Sequence, residues 1–193
     1  GSRLAPLCTP AMPIISILAG IPLAGLRARF PGTADIVRAM PNLPVGIGEG
    51  VTALYVDDAD DAPVRTAMDA LFSPLGLVEW LLAEDQFNLV TALSGCGPGF
   101  LFRFIDAMAR AGEALGLPAD QSARMALATV HGSANMAARG DVAPALLADR
   151  VASPGGMTRE GLNILDEDDR LLGLLTDTLR AARDRGEAMA RNG

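Results

Sequence analysis

At 193 residues the chain can bury a core large enough for one sizeable domain or two small ones, and 50% hydrophobic with 20% charged residues is the composition of a globular protein. A net charge of −7 repels phosphate backbones, which argues against nucleic acid and anionic membrane surfaces as general partners. All 16 basic residues are Arg, so no lysine can form a Schiff base or fill a phosphate loop; a single His excludes a His-rich metal site, and two Cys suggest no disulfide framework.

The uncharged stretch 4–26 is long enough to raise the question of a membrane span, but Pro6, Pro10, Pro13 and Pro22 interrupt it and favour a loop feeding a short buried strand. No signal peptide is read, and Gly1-Ser2 looks like an expression scar. From Ile14 to Ile21 the run is β-branched and apolar on both faces, as in a parallel strand covered on each side; it stops at Ala19-Gly20. A short helix over 23–30, a strand over 35–40, a Pro/Gly-rich loop over 41–50, a strand over 51–56, a helix over 62–72 and a strand over 77–82 follow. The acidic run Asp57-Asp58-Ala59-Asp60-Asp61 reads as a solvated turn ahead of its helix rather than a metal cluster.

After Glu84 the chain turns to long alanine-rich helical stretches. Phe87, Val90 and Leu93 make one apolar stripe, Pro98 opens a helix to about Leu115, Pro118 opens another to about Arg139, and the last runs over 168–191. The small residues of the 118–139 helix, such as Ala126, Gly132 and Ala137, let another helix approach closely, and a helical half this apolar implies surface hidden against a second chain. The fold class is therefore an α/β half, residues 3–83, followed by an all-helical half, residues 84–193.

Two short runs carry the chemistry: Leu93-Ser94-Gly95-Cys96-Gly97-Pro98 and Ser153-Pro154-Gly155-Gly156-Met157-Thr158. Each sets a hydroxyl beside glycine-rich backbone just ahead of a helix, where free N–H groups can converge on a small anion such as a carboxylate. Ordinary turns and caps are the alternative. Cys96 reads as a small packing residue without a base to activate it, and His131 as a satisfied mid-helix residue.

The ordered set Ser16-Ile17-Leu18-Ala19-Gly20-Ile21, Val37-Arg38-Ala39-Met40-Pro41-Asn42-Leu43-Pro44, Gly48-Glu49-Gly50-Val51-Thr52-Ala53-Leu54, Thr91-Ala92-Leu93-Ser94-Gly95-Cys96-Gly97-Pro98, Gly116-Leu117-Pro118 and Ser153-Pro154-Gly155-Gly156-Met157-Thr158 resembles pyrroline-5-carboxylate reductase from about Ile14 onward. The resemblance implies a partial Rossmann-type dinucleotide-binding domain over 3–83 and an all-α dimerisation and substrate domain over 84–193, with substrate between them. It implies reduction of the cyclic imino acid 1-pyrroline-5-carboxylate to L-proline with NADP or NAD as cofactor, by a homodimer; the cysteine usage adds a cytoplasmic location, and the single His, the net charge and the prolines add the expectation of no metal and of neither nucleic acid nor membrane as partner. By the same resemblance the backbone around Ser153, Gly155 and Gly156 takes the substrate carboxylate, and Thr158 is catalytic, hydrogen-bonding the ring nitrogen. Ala19, Gly20 and Asn42 are expected on the nicotinamide side, with a plain βα turn and a turn-holding Asn as their alternatives.

The Gly-x-Gly-x-x-Gly turn with which such a domain begins is not in this sequence; Gly46-x-Gly48-x-Gly50 and Gly95-x-Gly97-x-Gly99 have the wrong spacing to replace it. A non-catalytic dimerisation or ligand-binding remnant of the family, and a reductase of a related cyclic imine, are the rival expectations.

Overall fold

Connection lengths decide how the sheet is wired. In the computed structural model, which describes residues 5, 9, 12–33, 35–57 and 62–192, strand β1 (Ile14–Ser16) pairs in parallel with β2 (Ile36–Pro41), because helix α1 (Leu23–Arg29) fills the crossover between them. Residues 42–49 are too few for such a crossover and form only a short 3-10 segment, so β3 (Gly50–Tyr55) returns antiparallel to β2. Helix α2 (Ala62–Phe72) then carries the chain back to β4 (Gly76–Trp80), parallel to β3. The sheet order is β1-β2-β3-β4. Most of the acidic run, Asp58 to Asp61, lies outside the described residues, as does Cys8.

β2 is the spine of this half. Its residues from Ile36 to Met40 are all buried, and their alternation sends Val37 and Ala39 into a cluster with Val64, Met68 and Phe72 of α2, while Ile36 meets Leu23 and Leu26 of α1 on the opposite face. Met40 joins Ala53 and Phe87 in a third cluster. Gly50 and Gly76 face each other in the β3–β4 register, and a side chain on Gly76, whose φ is +130°, would collide with the Gly50 backbone.

The first strand is shorter than its apolar run. β1 ends at Ser16, and Ile17 and Leu18 are 62% and 52% exposed, so the expectation of a strand covered on each side is corrected here. Among the described residues β1 has a strand neighbour on one side only, and the chain leaves it through Ile17 to Gly20 toward α1.

The chain divides into two compact units, Gly1–Pro98 with Thr178–Gly193, and Gly99–Asp177. The composition change after Glu84 marks where helices begin, but the first of them, α3 (Phe87–Val90), packs through Phe87 onto the sheet, which moves the physical division beyond Pro98. Helices α4 (Gly97–Ala114), α5 (Ala119–Arg139), α6 (Pro144–Val151) and α7 (Met157–Asp166) follow, and α8 (Arg170–Asn192) contributes to both units. In the helical unit Gly112 lets α5 close on α4: Ser122, buried, donates to the Ala109 carbonyl at 2.6 Å where any side chain on Gly112 would stand. Beyond Ser122 and Ala126 little of this unit is buried, while Phe102, Phe104, Leu127, Met136 and Ile164 stay more than half exposed.

Candidate functional site

The run 93–98 turns its hydroxyl into the helix rather than toward a ligand. Thr91–Gly95 is a π-helical turn joining α3 to α4, closed by the Cys96 N–H donating to the Thr91 carbonyl at 2.8 Å. The Ser94 hydroxyl is turned back to donate to the Val90 carbonyl at 2.9 Å, and Thr91 does the same to Phe87 at 2.7 Å. Both hydroxyls are therefore spent on the helix they sit in, which corrects the reading of this run as a carboxylate cradle.

The run 153–158 is built differently. Buried Ala152 anchors its start, Gly155 turns the chain at φ +70°, and Gly156 caps α7 with no side chain to supply. The Gly156 N–H donates to the Ser153 carbonyl at 2.9 Å, and the first helical bond is Glu160 N–H to the Gly156 carbonyl at 3.2 Å. That leaves the amides of Gly155, Met157, Thr158 and Arg159 as donors with no partner among the described residues, together with the exposed hydroxyls of Ser153 and Thr158. Gly156 thus contributes shape rather than a donor: a Cβ there would stand 3.1 Å from the Ser153 carbonyl oxygen. Arg159 pairs with Asp149 at 2.9 Å, tying α7 to α6 across the turn.

In the sheet unit, Ala19 is exposed and Gly20, at φ +75°, is buried with a would-be Cβ 3.4 Å from Met189 Cβ. Asn42 is a brace. Its Oδ1 accepts the Val51 N–H at 2.8 Å and its Nδ2 donates to the Ser94 carbonyl at 3.1 Å, so it stitches the end of β2 to the start of β3 and to the π-helical turn. These are the bonds of a turn-holding residue.

Sequence reasoning passed over Arg38 and Glu84. Arg38 is buried on β2 with its guanidinium 3.7 Å from the centroid of the Phe87 ring, and its Nη1 donates to Glu84 Oε1 at 2.8 Å. The same oxygen accepts the Leu23 N–H at 2.6 Å. A charge in the middle of the apolar run Ile36 to Met40 was the available signal, because a buried guanidinium requires a partner. Tyr55 stands near this acidic end of the sheet, and its hydroxyl is pushed above the ordinary tyrosine range by burial first, then by Asp57, Glu84 and Asp85. His131 is exposed on α5 with its Nε2 3.1 Å from Asn135 Nδ2, and Cys96 is half-buried beside the π-helical turn. Among the described residues no group of three or more His, Cys, Asp or Glu could hold a metal ion, and no helix is long and apolar enough to cross a membrane.

Comparison with known proteins bears on this arrangement. Residues 84–189 match the family model for pyrroline-5-carboxylate reductase dimerisation. The pyrroline-5-carboxylate reductase of Pseudomonas aeruginosa is 37% identical over 187 residues, covering 97% of this chain and 68% of that protein. Among solved structures, a pyrroline-5-carboxylate reductase from Coxiella burnetii superposes with a TM-score of 0.89 at 31% identity, over 97% of this chain and 70% of that one. The pyrroline carboxylate reductase of Plasmodium falciparum, solved with NADP bound, gives 0.79 at 30% identity over 91% and 66%. With a four-stranded mixed sheet ahead of helices that match the dimerisation model, and relatives matched along nearly its whole length, the chain belongs to the pyrroline-5-carboxylate reductase family.

Proposed function

We propose that this protein reduces 1-pyrroline-5-carboxylate to L-proline, with NADPH or NADH as electron donor. The observation that carries this reading is the state of the 153–158 turn: three unpartnered amides, Gly155, Met157 and Thr158, and two unpartnered hydroxyls within six residues, at the N-terminus of a helix of 10 residues. The amides of Gly155, Met157 and Thr158 receive the substrate carboxylate, helped by the partial positive charge of the helix end. The Thr158 hydroxyl donates a hydrogen bond to the ring nitrogen, the atom that gains a proton when C=N becomes CH–NH, and Ser153 adds a further hydroxyl to the acid. Thr158 is thus the catalytic residue, and the turn orients the ring.

The nicotinamide end of the cofactor fits the sheet unit, where exposed Leu18 and Ala19 lie beyond the carboxyl end of β1 and present apolar, low-relief surface to a planar ring. When bound, the reduced nicotinamide supplies a hydride to the imine carbon. Gly20 serves by allowing the turn, and Asn42 by bracing the loop behind it. Among the described residues no Gly-x-Gly-x-x-Gly turn joins a strand to a helix, so no part of the pyrophosphate site is assigned.

Residues 84–193 act as the dimerisation and substrate domain and residues 3–83 as part of the nucleotide-binding domain. The exposed apolar side chains of α4, α5 and α7 support a homodimer, since a helical unit with so little buried in one chain needs a second surface to complete its core. Two cysteines in 193 residues support a cytoplasmic site of action.

The test is NADPH oxidation by the full-length protein as its gene encodes it, with pyrroline-5-carboxylate and a panel of related cyclic imines. Turnover is expected to be highest on pyrroline-5-carboxylate and to fall by about 10²-fold in kcat for Thr158→Ala. Proline binding without turnover would replace this reading with a ligand-binding remnant, and an unchanged kcat in Thr158→Ala would remove Thr158 from the chemistry.

A further inference from the structure

We propose that Glu84 is a positioning residue for the cofactor: with Arg38 it fixes the β1–α1 turn that presents Ala19. The inference rests on the reading of Ala19 as part of the nicotinamide surface.

Helix α1 has no local cap. Its N-cap is Pro22, with no side chain to offer, so the first helical amide, Leu23 N–H, has no partner from its own neighbourhood. Glu84 Oε1 accepts it from 61 residues away at 2.6 Å. The same oxygen holds Arg38 Nη1 at 2.8 Å, and Arg38 in turn is buried against Phe87 with an Nε–H that has no partner. Moving Glu84 would therefore strip the helix start and a buried guanidinium of their acceptor at once. The turn is thus held by Glu84 from outside as well as by Gly20 within it.

The opposite side of the turn is fixed by α8. Gly20 meets Met189 and Ala190 at 3.4 to 3.6 Å from its would-be Cβ, and a Cβ on Gly186 would stand 3.0 Å from Asn88 Oδ1, so one helix packs on both the turn and the segment that caps α1. Gly20, Pro22, Arg38, Glu84, Asn88 and Ala190 together line an open hollow of about 280 Å³. Gly20 is buried and Leu23 capped, while Leu18 and Ala19 stay exposed on the turn.

The experiment uses the full-length protein with Glu84→Ala, Glu84→Gln and Arg38→Met, reading steady-state kinetics and amide hydrogen exchange by mass spectrometry. Glu84→Ala is expected to raise the KM for NADPH at least tenfold while the KM for pyrroline-5-carboxylate moves less than twofold, and to speed exchange in the segment 17–23 at least tenfold. Glu84→Gln keeps an oxygen for Leu23 and recovers most of both effects; Arg38→Met gives an intermediate loss. Should Glu84→Ala fail to fold, the Gln and Met variants carry the same comparison. Equal rises in both KM values, faster exchange spread over the whole sheet, or an unchanged 17–23 segment would overturn the proposal. A protein inactive on pyrroline-5-carboxylate before any substitution would refute the proposed function instead, and exchange at 17–23 would still decide whether Glu84 holds the turn.

Discussion

Replacing Asn42 with Asp tests whether this residue is a brace. The wild-type amide uses both of its ends, accepting from Val51 N–H at 2.8 Å and donating to the Ser94 carbonyl at 3.1 Å, at a half-buried position. Asp keeps the first bond and strengthens it with charge, but sets a carboxylate oxygen against the Ser94 carbonyl oxygen in place of a donor. One lost hydrogen bond and an unfavourable oxygen pair in partly desolvated surroundings, offset in part by the Val51 bond, give a net cost of about 2 kcal/mol at neutral pH. A protonated Asp can donate to Ser94 again, so its folded pKa is raised above the ordinary value of about 3.9. The sign follows: the variant's stability is recovered below that pH and lost as pH rises through the folded pKa. Urea unfolding of Asn42→Asp and of the parent at about pH 4 and about pH 7.5 measures this, with Asn42→Ala as the variant that loses both bonds at either pH. A deficit equal at both pH values, or none at neutral pH, would refute the brace. A rise in the KM for NADPH in Asn42→Ala without loss of stability would favour a direct role at the cofactor.

Tyr55 titrates above the ordinary tyrosine value, so its contribution to stability is complete below about pH 10 and lost as pH rises through its folded pKa; Tyr55→Phe is expected to flatten alkaline unfolding followed by circular dichroism. Leu127, 58% exposed on α5, belongs to the surface assigned to the second subunit, and Leu127→Glu is expected to shift sedimentation from dimer to monomer at micromolar concentration. A dimer unaffected by that charge would move the interface to another face of the helical unit.

The alternation of elements was legible because period and punctuation agreed. Ala62 to Phe72 carries helical spacing and forms α2 over those residues, and Pro118 placed the start of α5 within one residue. The extent of β1 was not legible. Ile14 to Ile21 has the residues of a strand throughout, but strand length is set by what pairs and covers it, and that information is tertiary. The antiparallel return of β3 was legible in principle from the loop over 42–49, whose length leaves no room for a crossover helix.

The site divides along the same line. Two runs with the same apparent hydroxyl-and-glycine design fold oppositely, and what separates them is where each hydroxyl finds an acceptor. Ser94 is already inside a helical segment, and its hydroxyl donates to the Val90 carbonyl one turn back at 2.9 Å, while the Cys96 amide closes the π-helical turn onto Thr91. Ser153 precedes its helix and has no turn behind it to bond, because α6 ends at Val151 and Ala152 is buried in a non-helical conformation. Pro154 donates no hydrogen and Gly155 takes a left-handed φ, which together aim the chain at the helix start without consuming the first-turn amides. These free donors lie in a chain of net charge −7, and Arg159, the adjoining cation in sequence, is committed to Asp149, so the proposed hold on an acid at this turn rests on backbone dipoles at contact distance rather than on the field of the protein.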